Sequence, residues 1–419
     1  MFDAHFTDDG QGLQLRGRRD TEIGFADIYV VPVSDGGTEN RDAEDGLRAL
    51  TSTLDGNPLA VVNAGEGRVV IGARHGGAVH PVLLHEQDPR PHRLVDDPRI
   101  DVVSLGRVSP AGLMPVVYRT PHSYGRIGLV DTRRGGLSDI DEAPGDLGKT
   151  ETLYEPRIWT MRDGHRVHGW LLHAGCGANP RRLLVDVHVG PHQAWSGTAE
   201  EAYAYHRTLV GQGWTILLVN ARGSDGYGEE FMRDVRGAWG GPDAEDVLEV
   251  VDQLIDEGVV DHERIAVGGY SYGGFLACEL VSRSQRFAAA VAGAAPCDLV
   301  AALSSNPEGR WVARAEFGVS VEDDPAFYER LSPLTRVEDV RTPTLLYVGD
   351  EDLVAPRAPM VEWVSRLQAR GVPSRLDTLP GADHDLIFTG RPSQRNAVNT
   401  AIVDWLNQHV AGDKVDESH

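Results

Sequence analysis

The sequence predicts an α/β protein, with a doubly wound, mostly parallel sheet over residues 149–412, an all-β domain over residues 1–148 before it and a polar tail, 413–419, behind. Three observations predict this. From Thr152 onward, short apolar runs alternate with stretches of helical period. Before it, short alternating runs are separated by Gly, Pro and Asp clusters with no long helical pattern. And Gly269-Tyr270-Ser271-Tyr272-Gly273-Gly274 sits where an apolar run, 264–268, gives way to a helical one, 275–283.

In chain order, the N-terminal strands are expected at 26–33, 59–63, 68–73, 82–85, 101–105, 114–119 and 126–131. Residues 157–161 and 167–173 flank Asp163-Gly164 as an antiparallel pair. The main sheet then gathers 183–188, 215–220, 264–268, 288–292, 344–348 and 375–379, with helices at 199–210, 244–256, 275–283, 360–370 and 396–409. Ligands in such sheets bind beyond the carboxyl ends of the strands.

Ser271 lies at one of those ends. A serine on a sharp strand-to-helix turn needs small residues on either side, because side chains there would collide with the strand and the helix. The strand 344–348 runs into Gly349-Asp350-Glu351-Asp352, and the strand 375–379 into Pro380-Gly381-Ala382-Asp383-His384. The order Ser, Asp, His, each in a turn after a strand, is that of the α/β-hydrolase fold. A serine hydroxyl becomes nucleophilic when an imidazole takes its proton, and a carboxylate on the far ring nitrogen fixes the tautomer. Ser271 is therefore read as nucleophile, His384 as general base and acid, and Asp352 as orienter, with Asp350 and Asp383 as competing acids.

The chain also resembles a known family. Residues 220–228 (Asn-Ala-Arg-Gly-Ser-Asp-Gly-Tyr-Gly), Trp239-Gly240-Gly241, residues 269–274, Leu331-Ser332-Pro333, Gly349-x-x-Asp352 with Pro356, and Pro380-Gly381-x-x-His384 are similar to the successive signatures of the prolyl oligopeptidase family of serine peptidases, its acylaminoacyl-peptidase and dipeptidyl-peptidase branches above all. The family pattern Gly-x-x-Asp favours Asp352 over Asp350. The loop Val189-Gly190-Pro191-His192 stands where the family has Gly-Gly-Pro, with Val189 in place of the first glycine. The resemblance implies that the backbone N–H groups of Gly190 and Tyr272 bind the oxyanion. His188 and His192 are read as loop anchors. The resemblance also implies that the segment 311–318 and the positions after the acid wall an apolar pocket, through Trp311, Phe317, Tyr272 and Val354.

In the family a β-propeller precedes the catalytic domain. A blade takes about 40–50 residues, so residues 1–148 supply about three blades and form a truncated, propeller-like domain. Its open edges lead us to expect either tight packing across the catalytic domain or a homodimer through the β-domain. No pair of glutamates for a substrate amine is evident in the shortened domain, which disfavours dipeptidyl activity.

Composition bounds the remaining classes. The formal net charge of −23 over 419 residues argues against a nucleic-acid partner. Cys176, Cys278 and Cys297 are too few and too scattered for a disulfide framework, and no apolar run reaches the ~18 residues of a membrane span or makes a signal peptide, so a cytoplasmic location is expected. The sequence lacks HExxH, paired CxxC, calcium-loop and phosphate-loop motifs, so neither a metal nor a cofactor is expected. The expected function is a serine hydrolase cleaving peptide or acyl-aminoacyl bonds of a small peptide or acylated small-molecule substrate through an acyl-enzyme on Ser271. The alternative is an esterase, thioesterase or acyltransferase on the same triad.

Overall fold

The computed structural model describes residues 4–7, 10–18, 23–33, 48–54, 56–85, 88–140, 147, 152–175 and 181–411. Cys176, the 148/149 boundary and the tail 413–419 lie outside the described residues. The chain divides into two compact units, one of Met1–Lys149 with Ser196–Ala199 and Asp225–Arg233, the other of the remaining residues.

The first unit is built of three four-stranded sheets. The first holds β1 (Ala4–Phe6), β2 (Gly12–Gly17), β3 (Asp27–Pro32) and β4 (Arg48–Ala49). The second holds β5 (Pro58–Gly65), β6 (Arg68–His75), β7 (Ala78–His85) and β8 (Asp88–Arg93), and the third β9 (Asp101–Leu105), β10 (Leu113–Thr120), β11 (Ser123–Asp131) and β12 (Leu137–Asp139). In each sheet the strands pair antiparallel with their neighbours in sequence. Ile28 and Leu50 of the first sheet and its following turn pack with Val69, Ile71 and Leu84 of the second. Val70 faces the other way, into a core with Met114, Val116 and Tyr118 of the third. Successive β6 side chains thus feed opposite cores, as the two-residue period of a strand requires. The third sheet is buried on one face only, and the alternate residues Val117 and Ile127 stay 37% and 50% exposed.

The strands expected from alternation lie within these sheets, with ends shifted by a few residues. Missed were β1, β2, β4, β8 and β12. Asp88–Arg93 carries two prolines and no apolar alternation, and it is tolerated because β8 is an edge strand, paired with β7 alone.

The second unit carries an eight-stranded sheet of β13 (Leu153–Thr160), β14 (Arg166–His173), β15 (Arg181–Val187), β16 (Trp214–Asn220), β17 (Val260–Tyr270), β18 (Ala289–Gly293), β19 (Thr344–Gly349) and β20 (Ser374–Leu379). The order is β13-β14-β16-β15-β17-β18-β19-β20. Pairing is antiparallel from β13 through β14 to β16, and parallel from there on. Every residue of β16 is buried, as expected of a strand covered on both faces. The helices Pro242–Asp256, Tyr272–Arg283, Arg357–Ala369 and Pro392–His409 fall where helical period predicted them, each starting a few residues earlier.

One helix differs. Residues 199–210 do not form a single helix but a 3₁₀ turn, Glu201–Tyr203, followed by an α-helix, Tyr205–Gly211. Tyr203 and Tyr205 are both buried, and residues two apart do not share a face of a continuous α-helix, so the break at Ala204 lets both rings point inward.

Candidate active site

β17 ends at Tyr270 and the next helix starts at Tyr272, leaving Ser271 alone on the turn with φ 56° and ψ −119°. A non-glycine residue at positive φ is strained by about 1–3 kcal/mol, and it persists where the surroundings over-determine it. The surroundings here are backbone. A Cβ on Gly269 would lie 2.3 Å from the carbonyl carbon of Gly273, and one on Gly273 would lie 2.2 Å from the Val187 oxygen. The Ser271 N–H donates to the Gly293 carbonyl at 2.8 Å, tying the turn to the end of β18.

Ser271 Oγ lies 2.8 Å from Nε2 of His384, and Nδ1 of His384 lies 2.8 Å from Oδ2 of Asp352. The other oxygen of Asp352 accepts from the N–H groups of Val354 and Ala355 at 2.9 and 2.8 Å. The carboxylate is therefore held on both oxygens, and its acceptor character puts the imidazole proton on Nδ1, leaving the Nε2 lone pair toward the serine hydroxyl. The loop of His384 is hung from its neighbours. Tyr270 Oη donates to the His384 carbonyl at 2.7 Å, and Gly381 N–H donates to Asp350 at 2.6 Å. Asp350 thus acts as a loop tie. Asp383 is exposed and accepts from the Asp385 N–H.

The loop after β15 lies against the same turn through Gly273. Gly190 has φ +140°, and a Cβ there would lie 2.6 Å from the His192 nitrogen. His188 bonds the Val189 carbonyl at 2.7 Å and Ser224 Oγ at 2.8 Å. His192 bonds the Gly223 carbonyl and Oε1 of Glu316, both at 2.8 Å. Both imidazoles anchor the loop, and Val189 packs half-buried against the core.

Tyr272, at the first helical position, buries its ring and donates its hydroxyl to Asp243, which also accepts from the Gly240 N–H at 3.2 Å. Burial pushes the Tyr272 hydroxyl well above its ordinary range, and the Asp243 charge adds to this. Burial likewise raises the Asp243 carboxyl to about 6. The residues expected to wall a pocket separate into two groups. Trp311 and Val354 are 51% and 37% exposed. Phe317 instead joins an aromatic cluster, with ring centroids 5.0 Å from Trp239 and 5.3 Å from Tyr328.

Leu353, 72% exposed beside the acid, and Glu316 fell within segments expected to wall the pocket but were not singled out, and Asp243 and the tether from Asn306 Nδ2 to the Leu353 carbonyl at 2.7 Å escaped the sequence reading. These residues act through partners distant in sequence, and only the Gly-x-x-Asp spacing hinted at a loop there. Among the described residues, no group of three or more His, Cys, Asp or Glu side chains could hold a metal ion, and no helix is long and apolar enough to cross a membrane.

Residues 202–413 match the prolyl oligopeptidase family. An uncharacterized peptidase of Bacillus subtilis, YuxL, is 31% identical over 265 residues, 62% of this chain and 40% of that protein. The human acylamino-acid-releasing enzyme is 31% identical over 237 residues, 54% of this chain and 31% of that enzyme. The chain thus spans well under half the length of these curated relatives. Among solved structures, the Pyrococcus horikoshii acylaminoacyl peptidase superposes with a TM-score of 0.83 over 99% of this chain and 64% of that one, at 20% identity. A puromycin hydrolase does so with a TM-score of 0.78 over 97% and 61%, at 22% identity. The likeness in fold therefore covers the three stacked sheets as well as the eight-stranded one, and with its ordered motifs and the family match over half its length the chain belongs to the prolyl oligopeptidase family.

Proposed function

We propose that this chain is a serine hydrolase that cleaves peptide or acyl-aminoacyl bonds of small substrates through an acyl-enzyme on Ser271. The observation that carries this is the line of two 2.8 Å contacts from Ser271 Oγ through His384 to a carboxylate fixed on both oxygens. In this reading Nε2 of His384 takes the hydroxyl proton as Oγ attacks the carbonyl carbon. Asp352 steadies the imidazolium. The N–H groups of Gly190 and Tyr272 receive the oxyanion, and His384 then passes its proton to the leaving amine. Water, activated by the same imidazole, releases the acyl group. The chemistry requires no cofactor.

The exposed apolar surfaces of Trp311 and Val354 would meet an apolar substrate group, and Phe317 would contribute only through its aromatic cluster. Names among the relatives support an acylated amino acid or short peptide as the substrate class. The exposed face of the third sheet, with Val117, Ile127 and Ile140, would support a homodimer through the β-domain. A light-scattering mass of one chain would remove that assembly. The buried, unpaired thiols of Cys278 and Cys297 suit a cytoplasmic location.

The test compares wild type and Ser271→Ala on an acyl-aminoacyl p-nitroanilide and on a p-nitrophenyl ester. Cleavage of the amide that depends on Ser271 is expected. Ester cleavage alone would shift the assignment to an esterase or acyl-transfer role, and unchanged rates in the variant would sink the mechanism.

A further inference from the structure

A buried carboxylate outside the triad connects to both turns that carry the proposed oxyanion donors, directly to one and through Trp239 to the other. Glu316 lies in a π-helical turn, Ala313–Phe317, and is 3% exposed. Such turns are rare and frequently mark functional positions. Its Oε1 lies 2.8 Å from Nε2 of His192, and its Oε2 accepts from the Trp239 indole N–H at 3.3 Å.

Each contact leads to one donor. His192 follows Gly190 by two residues, and the chain curls so tightly at Gly190 that the His192 nitrogen lies 2.6 Å from where a Cβ would stand. His188 holds the near side of this turn through the Val189 carbonyl, in the peptide that carries the Gly190 N–H, and the fixed His192 imidazole holds the far side. The imidazole is fixed at both ends, because Nδ1 faces the Gly223 carbonyl at 2.8 Å. A carbonyl can only accept, so Nδ1 carries a proton, and Nε2 and the Glu316 carboxyl hold a second proton between them. On the other side, the Trp239 ring stands edge-on to Tyr272 with centroids 5.1 Å apart. A buried carboxylate is costly unless paired, and an apolar side chain would fill the same space without that cost.

We propose that Glu316 is a positioning residue of the oxyanion site: through His192 it fixes the Gly190 N–H, and through Trp239 it backs the turn of Tyr272. It does so without touching the substrate. The proposal rests on the oxyanion roles given above to Gly190 and Tyr272.

The experiment measures kcat and KM on the acyl-aminoacyl p-nitroanilide for wild type, Ser271→Ala, Glu316→Ala, Glu316→Gln and His192→Ala, with amide hydrogen exchange over residues 188–193. Glu316→Ala should lower kcat by roughly 10²–10³-fold, the scale of one lost oxyanion donor, while KM changes by less than about threefold and exchange over the loop rises. Glu316→Gln should stay within about tenfold of wild type, since its amide N–H can donate to Nε2 of His192 and its carbonyl can accept from Trp239. His192→Ala, on the loop itself, should reproduce the kcat loss if Glu316→Ala does not fold. The proposal is overturned if either alanine variant keeps kcat within about threefold of wild type while Ser271→Ala is inactive. It is also overturned if Glu316→Gln fails to restore kcat, or if loop exchange is unchanged. Should Ser271→Ala turn over like wild type, the acyl-enzyme reading fails, and the exchange data alone then decide whether Glu316 holds the loop.

Discussion

The turn at Ser271 and the third sheet of the first unit are stabilised in opposite ways. At the turn, backbone meets backbone: Gly269 and Gly273 leave no room for a methyl group, and Ser271 is held at a φ that serine resists. In the third sheet, side chains do the packing, with Met114 fully buried and Val117, three residues on and so on the opposite face, exposed. Backbone contacts at the turn specify residue identity, since only glycine fits. Side-chain contacts in the sheet specify little more than apolar character and volume.

The largest effect should come from a change that alters chemistry and leaves both regions folded. Asp352→Asn would present an amide N–H or a single carbonyl to three donors, disturbing the tautomer of His384, and kcat should fall by about 10⁴-fold with Tm little changed. Retention of more than a tenth of the wild-type kcat would count against the orienting role.

Gly273→Ala asks whether the turn is as intolerant as its contacts imply. The added methyl would meet the Val187 oxygen at 2.2 Å, and a loss of about 4 kcal/mol or more in denaturant unfolding is expected. A variant of wild-type stability would mean that β15 can yield.

The sheet offers a paired measurement. Met114→Ala should cost about 2–5 kcal/mol, and Ile127→Ala, on the opposite face, less than about 0.5 kcal/mol. Comparable losses would show that the outer face is covered in solution, as in the proposed dimer.

The smallest effect concerns the ground beneath Tyr272. Burial raises the Asp243 carboxyl from 3.8 to about 6, so its contribution to stability is fully present below about pH 3.8 and is lost as pH rises through 6. Asp243→Asn, which can still accept from Tyr272, should remove that slope. The stability difference between wild type and variant should move by up to roughly 3 kcal/mol, toward the variant, between pH 4 and 7. A difference that does not vary with pH would place the carboxyl's titration outside this window.

The same contrast explains what could be read from the sequence. Gly-x-Ser-x-Gly, and Asp and His each following a strand, were legible because steric demands at the turns restrict the residues to a few types. The central strands of both units were legible from apolar runs and alternation. Asp88–Arg93 was not, because an edge strand needs neither a buried face nor all of its N–H groups, and so carries no pattern. The break at Ala204 was not, because it follows from where Tyr203 and Tyr205 must go. Glu316 was hidden for a third reason: its partner His192 is 124 residues away, and nothing in the spacing of either residue shows that they meet.

The conformation of Ser271 also sets what could replace it. Glycine would sit at φ 56° without the strain serine bears there, a gain offset in part by the extra backbone freedom a glycine loses on folding. The nucleophile role proposed for Ser271 would account for a serine held in a conformation that costs it strain.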